Sequence, residues 1–137
     1  MQNITFRRCK TRNNYECGFS LALYACTVPQ APFSITLEDC ESVGDRMGAF
    51  VASSFGPNTT GTARLLNCKA TAGAGPGLMI RGKSSAKSRL LVENLQLLNT
   101  ATKQWIAGGE ELRFPVSISP NGAKIGVQVS PGAHLQH

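Results

Sequence analysis

The sequence predicts an all-β protein, a right-handed parallel β-helix of about four to five rungs. Three observations carry that expectation. A segment recurs four times along the chain, apolar side chains alternate with period two inside each copy, and a polar residue occupies the same corner of every copy. The copies are residues 4–11 (ITFRRCKT), 35–42 (ITLEDCES), 63–70 (ARLLNCKA) and 90–97 (LLVENLQL). From Cys9 to Cys40, Cys68 and Leu95 the steps are 31, 28 and 27 residues, the near-constant spacing of stacked coils joined by loops of varying length.

In the first wall of each rung, alternation points Ile4, Phe6, Ile35, Leu37, Leu65, Leu90 and Val92 inward, since successive side chains of a strand face opposite sides. A corner follows at Arg8, Asp39, Asn67 or Asn94, and Asp and Asn tolerate turns and bond to nearby backbone. The second wall then sends in Cys9, Cys40, Cys68 and Leu95, followed by Thr11, Ser42, Ala70 and Leu97. Ten residues after the corner come Gly18, Ala49, Gly77 and Gln104, and these open a third wall with Phe19, Phe50, Leu78 and Trp105 inward, then Leu21, Ala52, Ile80 and Ala107. Stacked parallel strands lie about 4.8 Å apart, so equivalent side chains form ladders, and no single coil buries its interior alone. A parallel crossover is almost always right-handed, which sets the expected hand.

Outward positions read Arg7, Glu38, Leu66, Glu93 on one wall and Lys10, Glu41, Lys69, Gln96 on the next, so opposite charges fall on adjacent rungs. Beyond Trp105 the pattern loosens. Residues 114–119 and 124–129 read as two strands around a Pro-Asn-Gly-Ala turn, either a degenerate fifth rung or a hairpin that caps the last one. The whole of 1–137 reads as one domain, with rungs starting near 4, 35, 63 and 90 and terminal strands over 114–129. No lid precedes Ile4, so the first rung is expected to dock on another copy or to continue rungs missing from a longer β-helix.

Totals narrow the classes. The chain is 42% hydrophobic and 16% charged, a folded rather than disordered composition. No apolar run approaches the ~20 residues of a membrane-spanning helix, and no secretory signal is visible in the charged start MQNITFRRCK. Fourteen basic against eight acidic residues give a net charge of +6, a bias toward acidic partners. The basic residues form two loose groups, Arg7, Arg8, Lys10 and Arg12, then Arg81, Lys83, Lys87 and Arg89, which also suit a solvated surface.

The pattern I-T-(F/L)-x-(R/D)-C-x-(T/S), a short turn, then G-F or A-F and another strand, resembles the pectate-lyase-like right-handed β-helix superfamily over residues 4 to about 107. Members include polysaccharide lyases, glycoside hydrolases, sugar epimerases, phage tailspikes and adhesive surface proteins. The resemblance implies a carbohydrate-related role and an extracellular or cell-surface setting, and its motifs identify a fold rather than an enzyme.

Several motifs compete with that reading. Residues 77–84 (GLMIRGKS) match the phosphate-loop pattern G-x-x-x-x-G-K-[ST], and a helix over 88–99 would follow it. Strand-forming Leu78, Met79 and Ile80 stand where that loop needs small residues, so a chance match inside a rung is expected. Cys9, Cys40 and Cys68 share one repeat position and read as buried free thiols; Cys17 and Cys26 lie outside that ladder, as a disulfide or as two loop thiols. His134 and His137 form H-x-x-H in the last residues, without further ligands nearby. Of the clustered acids Glu38, Asp39, Glu41 and Asp45, Asp39 reads as a corner and Glu38 and Glu41 as ladder members on different walls, which leaves no catalytic pair. Asn3-Ile-Thr5 and Asn58-Thr-Thr60 fit the glycosylation triplet.

The leading expectation is a polysaccharide-associated binding or scaffold module, with Arg7, Lys10, Glu38, Glu41 and Lys69 contacting an extended acidic glycan. The alternatives are an assembly module that stacks through its open first rung into a homo-oligomer, and part of a polysaccharide lyase or hydrolase. No cofactor or metal is called for, and neither membrane nor nucleic acid is the favoured partner.

Overall fold

A computed structural model describes residues 2–23, 33–54, 61–73, 75–82, 89–98, 105–107, 110–113 and 127–129. Among these, every regular element is a β-strand. Each of the first three sequence copies supplies three strands: β1 (Gln2–Arg7), β2 (Lys10–Arg12) and β3 (Cys17–Leu23); β4 (Phe33–Glu38), β5 (Glu41–Val43) and β6 (Gly48–Ser54); β7 (Gly61–Leu66), β8 (Lys69–Thr71) and β9 (Leu78–Gly82). The fourth supplies β10 (Arg89–Glu93) and β11 (Leu95–Leu98), and three short strands follow, β12 (Trp105–Ala107), β13 (Glu110–Arg113) and β14 (Val127–Val129).

These strands sort by place in the repeat rather than by order in the chain. Three sheets result, β1-β4-β7-β10-β13, β2-β5-β8-β11-β12 and β3-β6-β9-β14. Equivalent strands of successive copies pair in parallel, and the register follows the sequence alignment residue for residue. Ile4 lies beside Ile35, Ile35 beside Ala63 and Ala63 beside Leu90. In the second sheet Lys10, Glu41, Lys69 and Gln96 are neighbours in turn. The amides of Glu41, Lys69 and Gln96 donate to the carbonyls of Cys9, Cys40 and Cys68 at 2.9–3.0 Å, which sets Cys9, Cys40, Cys68 and Leu95 in line across the copies.

The corners have a backbone signature. Arg8, Asp39, Asn67 and Asn94 all sit in the left-handed region, with φ of 53–55°. Asp and Asn take that conformation at low cost because their short side chains bond locally. A second left-handed corner recurs four residues after the cysteine position, at Asn13, Gly44 and Ala72, and nothing in the alternation marks it. At both corners the turning residue donates its N–H to the next copy: Arg8 to Glu38, Asp39 to Leu66, Asn67 to Glu93, Asn13 to Val43 and Gly44 to Thr71, each at 2.9 Å. The stack is therefore hydrogen-bonded around its bends as well as along its strands.

The core holds most of the residues that alternation points inward, whereas in the first copy Ile4 and Phe6 are 50% and 49% exposed, and Cys9, Thr11 and, in the second copy, Ile35 are only partly buried. Leu37, Ala63, Leu65, Leu90 and Val92 come from the first sheet, Cys40, Cys68, Ala70, Leu95 and Leu97 from the second, and Leu21, Phe50, Ala52, Leu78 and Ile80 from the third, all at most 3% exposed. The rings of Phe19 and Phe50 stack with centroids 5.4 Å apart and planes 9° from parallel.

One expectation fails at the far end. Trp105 and Ala107 do not continue the third wall: β12 runs antiparallel to β11, with Trp105 beside Leu97 and Ala107 beside Leu95. β13 likewise runs antiparallel beside β10. The place next to β9 belongs to β14, which pairs in parallel through Val127 with Leu78 and Val129 with Ile80. Of the expected strand pair over 114–129, only Val127–Val129 falls among the described residues, where it pairs with β9. The helix that would accompany a phosphate loop is absent as well, since β10 and β11 occupy that stretch. Leu90, Val92, Leu95 and Leu97 show the period-two burial of strands.

Candidate functional site

Three places gather polar or reactive groups. The first is the outer ladder. Arg7 Nε lies 2.8 Å from Glu38 Oε2 and Lys10 Nζ 3.3 Å from Glu41 Oε2. The two pairs belong to different sheets, as the sequence placed them. Arg7 and Glu38 side chains are 58% and 32% exposed, so the pair records register and adds little stability. Lys69 follows Glu41 in the second sheet, exposed, with no ion-pair partner among the described residues. Of the five ladder residues, then, four neutralise one another pairwise and one keeps its charge. Asp39 turns the corner, and Asn94 donates to Asn67 Oδ1 across one copy at 3.0 Å.

The second place was not foreseen as a cluster. Asp45 is 1% exposed and accepts four hydrogen bonds: from Thr11 Oγ1 at 2.7 Å, Ser42 Oγ at 2.5 Å, and the backbone N and Nδ2 of Asn14 at 2.8 Å each. Burial alone would raise its pKa, but the donors from Ser42, Thr11 and Asn14 outweigh it and hold the carboxyl below the usual value. The cluster ties the first copy to the second. It also explains Gly18, where a Cβ would stand 2.6 Å from Asp45 Oδ2, Ser42 Oγ and Thr11 Oγ1 alike. Thr11 and Ser42 at inward positions were the available signal, because two hydroxyls facing an apolar core require a partner.

The third place is an open groove of about 390 Å³ on the outer face of β3, β6 and β9. Ser20, Val51 and Met79 lie in register across it. Cys17, Met47 and Glu16 line one end, and Ser53 and Arg81 the other. Cys17 opens strand β3 as a free thiol rather than lying in a loop, and Cys26 falls outside the described residues. Beside this end Tyr15 is 73% exposed, with the Arg46 guanidinium 5.1 Å from its ring centroid.

Of the inner ladder, Cys9 is only partly buried, contrary to its expected place in the core, whereas Cys40 and Cys68 are buried; burial raises the thiol pKa of Cys40 and Cys68 as it does that of Cys17. Cys40 Sγ donates toward the carbonyls of Glu38 and Phe6 at 3.4 and 3.5 Å, and Cys68 Sγ toward those of Leu37 and Leu66 at 3.3 and 3.5 Å. Burial pushes the Cys68 thiol up to about 11 and raises that of Cys40, so both stay protonated at neutral pH. Among the described residues no three His, Cys, Asp or Glu side chains gather as a metal-ligand cluster, and no helix is long and apolar enough to cross a membrane. His134, His137, Lys83, Ser84 and Asn58 lie outside the described residues, whereas Asn3 is in β1 and accepts from Ser34 Oγ.

No protein-family model, no curated protein and no solved structure matches the chain.

Proposed function

We propose that the three sheets are the walls of a right-handed parallel β-helix, and that the chain is a polysaccharide-associated module with a binding or scaffold role. The strand order and the parallel register of equivalent residues support the first part. A right-handed crossover is the hand that parallel connections almost always take.

The observation that carries the binding role is the in-register row Lys10, Glu41, Lys69 and Gln96. Donors and acceptors repeat there at the strand spacing of about 4.8 Å, a periodic polar strip suited to an extended, hydroxyl-rich chain. Lys69, without an ion-pair partner among the described residues, takes a glycan carboxylate; the Lys10–Glu41 pair serves hydroxyls. A glycan array probed at several salt concentrations tests this. Lys69→Glu should lower affinity for acidic glycans about tenfold, roughly 1.4 kcal/mol, and Lys10→Glu should lower it less because Glu41 already offsets that charge. Equal binding by wild type and Lys69→Glu would end the proposal.

A second reading, assembly by end-to-end docking, rests on the exposed edge of the first copy. Strands β1 and β3 lie at one margin of their sheets, as does β2, and Ile4 and Phe6 are 50% and 49% exposed there. A second copy of the chain is the occupant this reading names. Sedimentation across a wide concentration range should then reveal self-association that Phe6→Glu abolishes, and a strict monomer throughout would dismiss it.

A further inference from the structure

We infer that the groove on the third sheet is a binding site for a soft monovalent metal ion, Cu(I) in the first place, held by the sulfurs of Cys17, Met47 and Met79. Three of the groove's lining residues carry sulfur, and they arrive there from different copies of the repeat. Gly48 is the point around which they gather. Cys17 is its register neighbour in β3, Met47 precedes it in the chain, and a Cβ at Gly48 would stand 3.9 Å from Met79 Cβ. The main chain anchors the same corner, since the Met47 amide donates to the Glu16 carbonyl at 2.9 Å.

The chemistry of the donors selects the metal. Thiolate and thioether ligands favour Cu(I), whereas Ca²⁺ and Mg²⁺ need clustered oxygens, and structural Zn²⁺ takes sets of Cys, His and carboxylate. Among the described residues no such set forms. Met47 is 57% exposed, which a thioether does not need for packing but does need to swing onto an ion. Binding involves no redox step. The Cys17 thiol releases its proton to solvent and binds as thiolate, the two thioethers bind as neutral donors, and the Cu(I)–thiolate unit carries no net charge.

Cys40 and Cys68 are buried and hydrogen-bonded to carbonyls, and Cys9, partly exposed, donates toward the Arg7 carbonyl; the groove differs from these in that a partly exposed thiol and two thioethers line it together. The test is an anaerobic titration of the full chain with Cu(I) against a colorimetric Cu(I) chelator. Wild type should take one ion in competition with the chelator, and a tenfold excess of Zn(II) should not displace it. Cys17→Ser, Met47→Leu and Met79→Leu should each weaken binding by about tenfold or more, and circular dichroism should show all three folded, because they alter outer-face positions. X-ray absorption of the loaded protein should give a sulfur-only first shell. Failure of wild type to compete overturns the site. Unchanged affinity in both Met→Leu variants also overturns it, because binding would then belong to a thiol alone, and so does unchanged affinity in Cys17→Ser.

Discussion

Ile4 and Phe6 at one edge of the first sheet occupy the same repeat positions as Leu90 and Val92 near the other, yet their fates differ. Ile4 and Phe6 are half exposed, whereas Leu90 and Val92 are at most 1% exposed. β1 has a partner on one side only, while β10 lies between β7 and the antiparallel β13. An identical local pattern thus yields a buried or an open side chain according to its neighbours. Such a stack draws stability from the contacts between copies more than from any copy alone.

Cavity substitutions should give the largest contrast between the two regions. Leu90→Ala and Leu65→Ala are expected to cost about 2–5 kcal/mol in urea unfolding, and Phe6→Ala about 1 kcal/mol, since half of its surface already meets water. Equal losses would mean that the open edge is covered in solution.

Next comes the Asp45 clamp, which joins the exposed first copy to the second. Asp45→Ala strands the hydroxyls of Thr11 and Ser42 and is expected to cost about 1–3 kcal/mol. The carboxyl has a lowered pKa in the folded chain, so its stabilisation is fully present above the unfolded value near 3.9 and is lost as pH falls through the folded value. Wild type should therefore lose stability below about pH 4 more steeply than Asp45→Asn, as read from unfolding midpoints at pH 2 to 7. Parallel curves would remove Asp45 from the account.

Smaller effects come from the corners. Asn67→Val places a β-branched residue at φ 53° and should cost about 1–2 kcal/mol, whereas Asn67→Gly should be nearly neutral. The smallest belongs to the edge ladder: Arg7→Glu should cost under about 1 kcal/mol, and adding Glu38→Arg should restore the loss at low salt.

Much of this is legible in the sequence. The repeat set strand positions and register because a one-residue slip would turn Leu37, Leu65 and Val92 outward. The corner at Asp39, Asn67 and Asn94 was readable from residue type, and Arg8 at the same place from alignment alone. Ala72 at φ 57° was not readable, because alanine has no preference for that region. The ladder residues lay where the alignment put them, but their pairing into Arg7–Glu38 and Lys10–Glu41 needed side-chain positions. The 31-residue step aligns Thr11 with Ser42 and Asn14 with Asp45, but Asp45 was missed as the centre of a cluster because alternation does not reveal that a side chain in the turn after the second wall reaches inward to those hydroxyls.

Alternation and repetition by themselves determined which side chains face the core and which copies stack, since both are local properties of a strand multiplied along the chain. Only the tertiary structure decided how the far end closes, where Trp105–Ala107 reverses beside β11 and Val127–Val129 takes the place beside β9. It alone gathered Asp45 with its donors and brought Cys17, Met47 and Met79 to one groove. Those arrangements depend on which backbones meet across a sheet, and a short degenerate strand can pair with either neighbour at nearly equal cost until packing chooses between them.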